Sequence, residues 1–213
     1  NIIERKNTLP ILSNVLLKVK DKKLSIVATD LDLVYFEEIS DFKSEKEGST
    51  TTSATVLYDI LRKLPSNLDV IFTLQNENKL SISAENSKFN LLCLPVDNFP
   101  NFTEDFKDKA LNLDREKLLT LLNKTRISMS NDETRHYLNG IFIHLTESGK
   151  KSYLTGVATD SHRLSSSSIP LEKINDFRPF ILPKKAVFQL CNLLQESKEE
   201  VLLYSGDSKI QFQ

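Results

Sequence analysis

Apolar residues along this chain fall into two kinds of run. Within 54–64, Leu57, Ile60, Leu61 and Leu64 recur at i, i+3, i+4 and i+7, the spacing that gathers side chains into one stripe of an α-helix. The segment "PKKAVFQLCNLL" carries the same stripe in Val187, Leu190, Cys191 and Leu194, and "LDREKLLTLLNKTRISM" lines up Leu118, Leu121, Leu122 and Thr125. Pro183 opens the helix of the former, where its missing N–H costs nothing. Elsewhere polar and apolar residues alternate. "KLSIVAT", "LDLVYFEEI", "VIFTL", "KLSISAE" and "KFNLLCL", and later "LNGIFIHL", "SYLTGVAT" and "HRLSSSSI", set β-branched and aromatic residues between polar ones, the pattern of strands with one buried face. "KDKK" at 20–23 is a polar turn between two of them. The pattern predicts an α+β chain.

It also repeats. "VATD" occurs at Val27 and at Val157, 130 residues apart, and the stripe from Leu57 returns from Val187 at the same offset. "NKLSI" at 78–82 answers "SKIQF" at 208–212, and "LSNVLLKV" resembles "LNGIFIHL" at an offset of 126. Ordered matches at nearly constant spacing predict two homologous domains, the first over 1–107 and the second over 108–213. The first has no room for a counterpart of the helix at 113–129, and the second stops before anything like "ENSKFNLLCLPVDNFP". Both ends of the chain read as cut, and the polar segment "NFTEDFKDKALN" reads as the join.

Composition adds little until it is divided. The chain has 213 residues, 39% hydrophobic and 27% charged, as in ordinary soluble globular proteins. The net charge of -1 hides a local division. Segment 114–126 sets Arg115, Lys117, Lys124 and Arg126 against Asp114 and Glu116, a net +2. Segment 54–64 adds Arg62 and Lys63 against Asp59, and 183–195 adds Lys184 and Lys185, whereas 30–47 holds seven acids and two lysines. Basic helices beside acidic strands would attract a polyanion to one surface and repel it from another. Cys93 and Cys191, each in an apolar run, fit a reducing cytoplasm better than a disulfide framework. No signal peptide or membrane-spanning apolar run is apparent.

"VATDSHRL" invites a catalytic reading, since Asp160, His162 and Arg163 stand together before serines at 165–168. Yet "VATDLDL" carries the same opening with no histidine. The three histidines, His136, His144 and His162, form no H-E-x-x-H pattern. The serine run lies on an expected strand and not on a nucleophile elbow, and five glycines form no phosphate-binding loop. No catalytic residue, metal ligand or cofactor is expected. A hydrolase using Asp160 and His162, and a repeat-built adaptor without nucleic-acid binding, are the alternatives.

Taken in order, "RKNTLPILSNVLL", "VATDLDL", "LPVDNFPNF", "RHYLNGIF" and "VATDSHRL" resemble the bacterial DNA polymerase III beta subunit, the sliding clamp, over nearly the whole chain. The resemblance implies tandem clamp domains, with antiparallel sheets outside and helices lining a central channel. It implies a non-catalytic processivity subunit in the cytoplasm, whose full-length form is a homodimeric ring around double-stranded DNA. Its partners would be the DNA polymerase III alpha subunit and the clamp loader, held through short peptide motifs. This fragment, with one half of the ring joint, would be monomeric or weakly associated. Lys6, His136 and Tyr137 match family positions that touch DNA, and Arg62, Lys63, Lys117, Lys124 and Arg126 are the helix cations expected to join them. Lys117 and Lys124, seven apart, share a helix face. Leu138, Thr159, His162, Arg163 and Leu164 match one wall of the family's peptide-binding pocket, with two leucines as apolar anchors and three polar residues as the rim. Two departures stand out: Ser161 occupies a position where many clamps carry glycine, and Thr55 aligns with a basic residue that some members place at the start of the first-domain helix.

Overall fold

The computed structural model describes residues 2–3, 9–40, 42–102, 110–132, 134–172, 177–206 and 209–213. The chain divides into two compact units, Asn1–Thr103 and Glu104–Gln213.

In the first unit a 3-10 turn, Pro10–Ser13, precedes β1 (Asn14–Lys20), β2 (Lys23–Thr29), β3 (Val34–Ile39) and β4 (Gly48–Ser53). Helix α1 (Ala54–Lys63) follows, then β5 (Ile71–Asn76), β6 (Lys79–Ala84) and β7 (Ser87–Leu94). The seven strands form one antiparallel sheet in the order β3-β2-β1-β4-β7-β6-β5. Asp21 and Lys22 make the β1–β2 turn with φ of +51° and +59°, the two left-handed residues that match the twist of a two-residue hairpin. One sheet face buries Val15, Leu17, Leu80, Ile82, Leu91 and Cys93 with Leu57 of α1. On the other, Ile11, Leu12 and Phe99 cover Leu16, Val27 and Leu94.

Strand β4, "GSTTTS", is invisible to hydrophobic patterning because it holds no large apolar residue. It forms because its hydroxyls do what apolar side chains do elsewhere. Thr51 Oγ1 donates to Leu94 O at 2.8 Å and accepts from Asn14 Nδ2 at 3.1 Å, and Thr52 Oγ1 donates to Leu92 O at 3.2 Å. Buried polar groups are tolerated when bonded in this way.

The second unit runs β8 (Leu111–Leu113), α2 (Arg115–Thr125), 3-10 turns at Arg126–Ser128 and His136–Leu138, β9 (Gly140–Ser148), β10 (Lys151–Thr159) and β11 (Leu164–Leu171). It continues through β12 (Phe180–Pro183), α3 (Lys184–Glu196), β13 (Val201–Ser205) and β14 (Ile210–Phe212). The order β4-α1-β5-β6 of the first unit thus returns as β12-α3-β13-β14, and β1-β2-β3 as β9-β10-β11. The strands form two sheets, β11-β10-β9-β12 and β14-β13-β8. Leu118, Leu121 and Leu122 of α2 and Val187, Leu190, Cys191 and Leu194 of α3 share one core with Ile141, Ile143, Leu154 and Leu182. Helix α2 lies close to its sheet: a Cβ on Gly156 would stand 2.6 Å from Leu121 Cδ2. Ser165 shares that sheet face, and its hydroxyl meets Ser128 Oγ at 2.6 Å. The serine run therefore splits, with Ser165 and Ser167 turned beneath α2 by the two-residue period of a strand.

Two helix expectations need correction. Leu61 is 38% exposed and not part of the buried stripe, although Leu57 is buried. Its counterpart Cys191 is buried because α2 packs beside α3; among its unit's described residues α1 has no helical neighbour. Pro183 does not open α3 but ends β12 as the cap residue, with φ -61° and ψ 150°. Extended backbone at that position is what its ring allows.

Candidate functional site

The two Thr-Asp turns have one backbone design. At the end of β2, Thr29 Oγ1 donates to Leu33 O at 2.8 Å and accepts from Leu31 N at 2.9 Å. Asp30 Oδ1 accepts from Asp32 N at 3.1 Å and Leu33 N at 2.7 Å, while Leu31 takes φ +82°. At the end of β10, Thr159 Oγ1 donates to Arg163 O at 2.7 Å and accepts from Ser161 N at 3.2 Å. Asp160 Oδ1 accepts from His162 N and Arg163 N, each at 3.0 Å, while Ser161 takes φ +81°. The copied letters encode a turn, not chemistry.

What is added in the second copy lies around that turn. Arg163 Nε donates to Asp160 Oδ2 at 2.9 Å. The amides of His162 and Arg163, followed by the Arg163 charge, hold the Asp160 carboxyl below its usual range. A carboxylate spent on two amides and a guanidinium is placed to fix a loop, and the pairing of Asp160 with His162 as a hydrolytic dyad does not fit that arrangement. The turn presents exposed His162 and Arg163, and sets Leu164 opposite Thr159 at the start of β11, 66% exposed. An ordinary core leucine would not be left so open.

Leu138 is half-buried at the end of the turn His136–Leu138. Its carbonyl accepts from Ser130 N at 3.0 Å, and its N–H donates to Arg135 O at 2.9 Å. Arg135 then reaches across, with Nη1 donating to Ser161 Oγ at 2.9 Å and Nε to Asp132 Oδ2 at 2.8 Å. The segment carrying Leu138 is thereby tied to the turn carrying Thr159, His162, Arg163 and Leu164. Arg135 and Asp132 were not singled out by the sequence, although their i, i+3 spacing inside "NDETRHYLNG" was the available sign.

The cations are distributed unevenly. His136 and Tyr137 are exposed beside Leu138, Tyr137 by 67%. In the first unit Lys63 is exposed, and Arg62 lies 3.5 Å from Asp59 with its guanidinium 5.4 Å from the Tyr58 ring centroid. In the second, exposed Lys117 and Lys124 line one open groove of about 330 Å³ between α2 and β11, with Thr120, Ser167, Ser168 and Pro170. Asp114 and Glu116 share that groove and dilute its charge. Arg126 is half-buried, with its guanidinium 5.5 Å from the Phe188 ring centroid. Burial pushes the nearby Cys191 thiol up, and Arg126 offsets part of that shift. Lys6 lies outside the described residues. Among the described residues no group of three or more His, Cys, Asp or Glu side chains could hold a metal ion, and no helix is long and apolar enough to cross a membrane.

Residues 1–103 match the family profile of the DNA polymerase III beta subunit, N-terminal domain, and residues 112–213 match that of its central domain. The beta sliding clamp of Caulobacter vibrioides (strain NA1000 / CB15N) is 36% identical over 215 residues, which cover 100% of this chain and 58% of the relative. That of Pseudomonas putida is 34% identical over 212 residues, covering 98% and 56%. A crystal structure of the Caulobacter crescentus beta sliding clamp with bound polyethylene glycol superposes with a TM-score of 0.93 at 37% identity. It is covered over 57% of its length by all of this chain. The Bartonella birtlesii sliding clamp bound to griselimycin gives a TM-score of 0.93 at 36% identity, with 100% and 57% covered. The chain spans less than three-fifths of these relatives' length.

Proposed function

The chain belongs to the DNA polymerase III beta subunit family, and from that premise we propose that it is part of a DNA sliding clamp. The observation that carries this reading is the ordered pair of matches to the N-terminal and central clamp domains, on two units of like topology. The full-length protein would close as a homodimeric ring around double-stranded DNA in the cytoplasm. It would act as a non-catalytic processivity subunit, holding the replicative polymerase to its template.

Sliding requires attraction without sequence readout, which phosphate contacts provide. Lys117, Lys124, Arg62 and Lys63, with His136 and Tyr137, are the residues assigned to it, and Lys6 and Arg126 complete the set. Arg126, stacked on Phe188, is the one least free to follow a moving phosphate. Partner docking is assigned to Leu138, Thr159, His162, Arg163 and Leu164, which the turn geometry and the Arg135 hydrogen bonds tie together. Leu164 and Leu138 offer apolar anchors, and His162 and Arg163 form the polar rim that orients a peptide from the polymerase alpha subunit or the clamp loader.

The test uses full-length protein loaded by its clamp loader onto circular DNA. The ring should stay bound on closed circles and be released when the DNA is linearised. Lys117→Glu with Lys124→Glu should weaken retention and flatten the salt dependence by roughly two phosphate contacts. Equal retention on circular and linear DNA would overturn the clamp reading.

A further inference from the structure

The Thr159–Leu164 turn holds Ser161 at φ +81°, a left-handed conformation in which any residue with a Cβ is strained and glycine is not. Serine contributes one thing that glycine cannot, a hydroxyl, and that hydroxyl accepts Arg135 Nη1 at 2.9 Å. Arg135 is itself fixed. Its Nε is held by Asp132 Oδ2 at 2.8 Å, and Asp132 Oδ1 accepts Thr134 Oγ1 at 2.6 Å and Thr134 N at 3.0 Å. Asp132 N in turn donates to Ser130 Oγ at 3.0 Å, and Ser130 N to Leu138 O at 3.0 Å. A continuous path of hydrogen bonds therefore runs from the αL residue of the turn to the backbone of Leu138. In the first unit Leu31 holds the equivalent conformation without a hydroxyl.

We propose that Arg135 is a positioning residue for partner docking: through Ser161 it locks the 3-10 turn bearing Leu138 to the turn bearing His162, Arg163 and Leu164, so that two apolar anchors on separate segments meet a peptide as one preformed surface. This rests on the docking reading above. The gain comes from preorganisation, because a surface whose parts are already aligned loses less freedom when a ligand binds. The strain at Ser161 is kept because the residue that would relieve it would also release Arg135.

The experiment measures binding of a short polymerase-tail peptide to full-length protein by fluorescence anisotropy, with thermal unfolding alongside. Arg135→Gln should weaken binding about three- to tenfold, the net range of one ordinary hydrogen bond, because the contact acts on the peptide only through the lock. Ser161→Gly should weaken it similarly while the unfolding midpoint holds or rises, since glycine suits φ +81°. Opposite movement of affinity and stability is what a merely structural role would not produce. Ser161→Asn, which tolerates positive φ and keeps an acceptor, should rescue binding. The double variant Arg135→Gln, Ser161→Gly should bind no more weakly than Arg135→Gln alone. Undiminished binding by Arg135→Gln and Ser161→Gly, or fully additive losses, would overturn the proposal. Leu164→Asp separates the two claims. If it abolishes binding while the Arg135 and Ser161 variants bind normally, only the lock fails. If Leu164→Asp binds like the unaltered protein, the docking reading fails and the lock with it.

Discussion

The turns at Thr29–Leu33 and Thr159–Leu164 superimpose in their bonding and part company in their surroundings. Both use a threonine hydroxyl as donor and acceptor, an aspartate that receives two amides, and a residue near φ +80°. Thr29 is fully buried and its strand end supports a core in which Val27 lies under Ile11, Leu12 and Phe99. Thr159 is half-exposed, and its turn carries His162, Arg163 and Leu164 into solvent. A repeated scaffold thus ends in a buried threonine in one copy and a half-exposed one in the other, and the second is the copy proposed for recognition. The threonine and aspartate bonds to the backbone stay the same, and the side chains at the turn's free positions change, with the bonds those side chains add.

The largest test of that contrast removes the threonine hydroxyl from each turn. Thr29→Val keeps the shape but leaves Leu31 N without its acceptor and removes a donor from Leu33 O. In a buried site this should cost about 2–3 kcal/mol. Thr159→Val, where water can replace the lost partner, should cost only about 1 kcal/mol. Urea denaturation of both variants measures the difference. Equal losses would mean that burial does not distinguish the two copies.

A smaller effect, of opposite sign, comes from the strained residue. Leu31 at φ +82° is about half exposed, so Leu31→Gly gives up little apolar burial and relieves a strain of roughly 1 kcal/mol. The unfolding midpoint should rise. The rise should exceed that of Ser161→Gly, because only the latter also loses a hydrogen bond to arginine. A larger rise for Ser161→Gly would mean that the Arg135 contact contributes nothing to the fold.

The legible parts of this molecule were those where period and burial agree. The stripes of α2 and α3 are buried as spaced, and the 130-residue repeat returns as the same order of strands and helix. Strand β4 escaped because its core positions are threonines, and the hydroxyls of Thr51 and Thr52 bond across the sheet. Leu61 misled because its burial depends on a neighbouring helix, which no local pattern reports. At the candidate site, the shared "VATD" returns as the same hydrogen-bonded turn in both units. Arg135 escaped because its partner Ser161 lies 26 residues away, and nothing in the spacing of either residue announces that they meet.

The least disruptive test uses acidity in place of substitution. In the folded chain the amides of His162 and Arg163, with the Arg163 charge, stabilise the ionised form of Asp160 and depress its pKa. A depressed carboxyl adds stability to the turn above its unfolded value of about 3.9, and that contribution is lost as pH falls through the lower folded value. Neutral pH should therefore leave the turn intact, and the change should come only in strong acid. Backbone resonances of His162 and Arg163, followed from about pH 6 down to about pH 2, should shift together with a midpoint below about 3.9. The core amides of Ile143 and Leu154 report whether the sheet survives, so a local loosening can be told from unfolding. Asp160→Asn should remove the titration while keeping an acceptor for the two amides. A midpoint at or above the ordinary aspartate value would mean that the carboxylate does not hold this turn, and that the proposed docking surface depends on Arg135 and Thr159 alone.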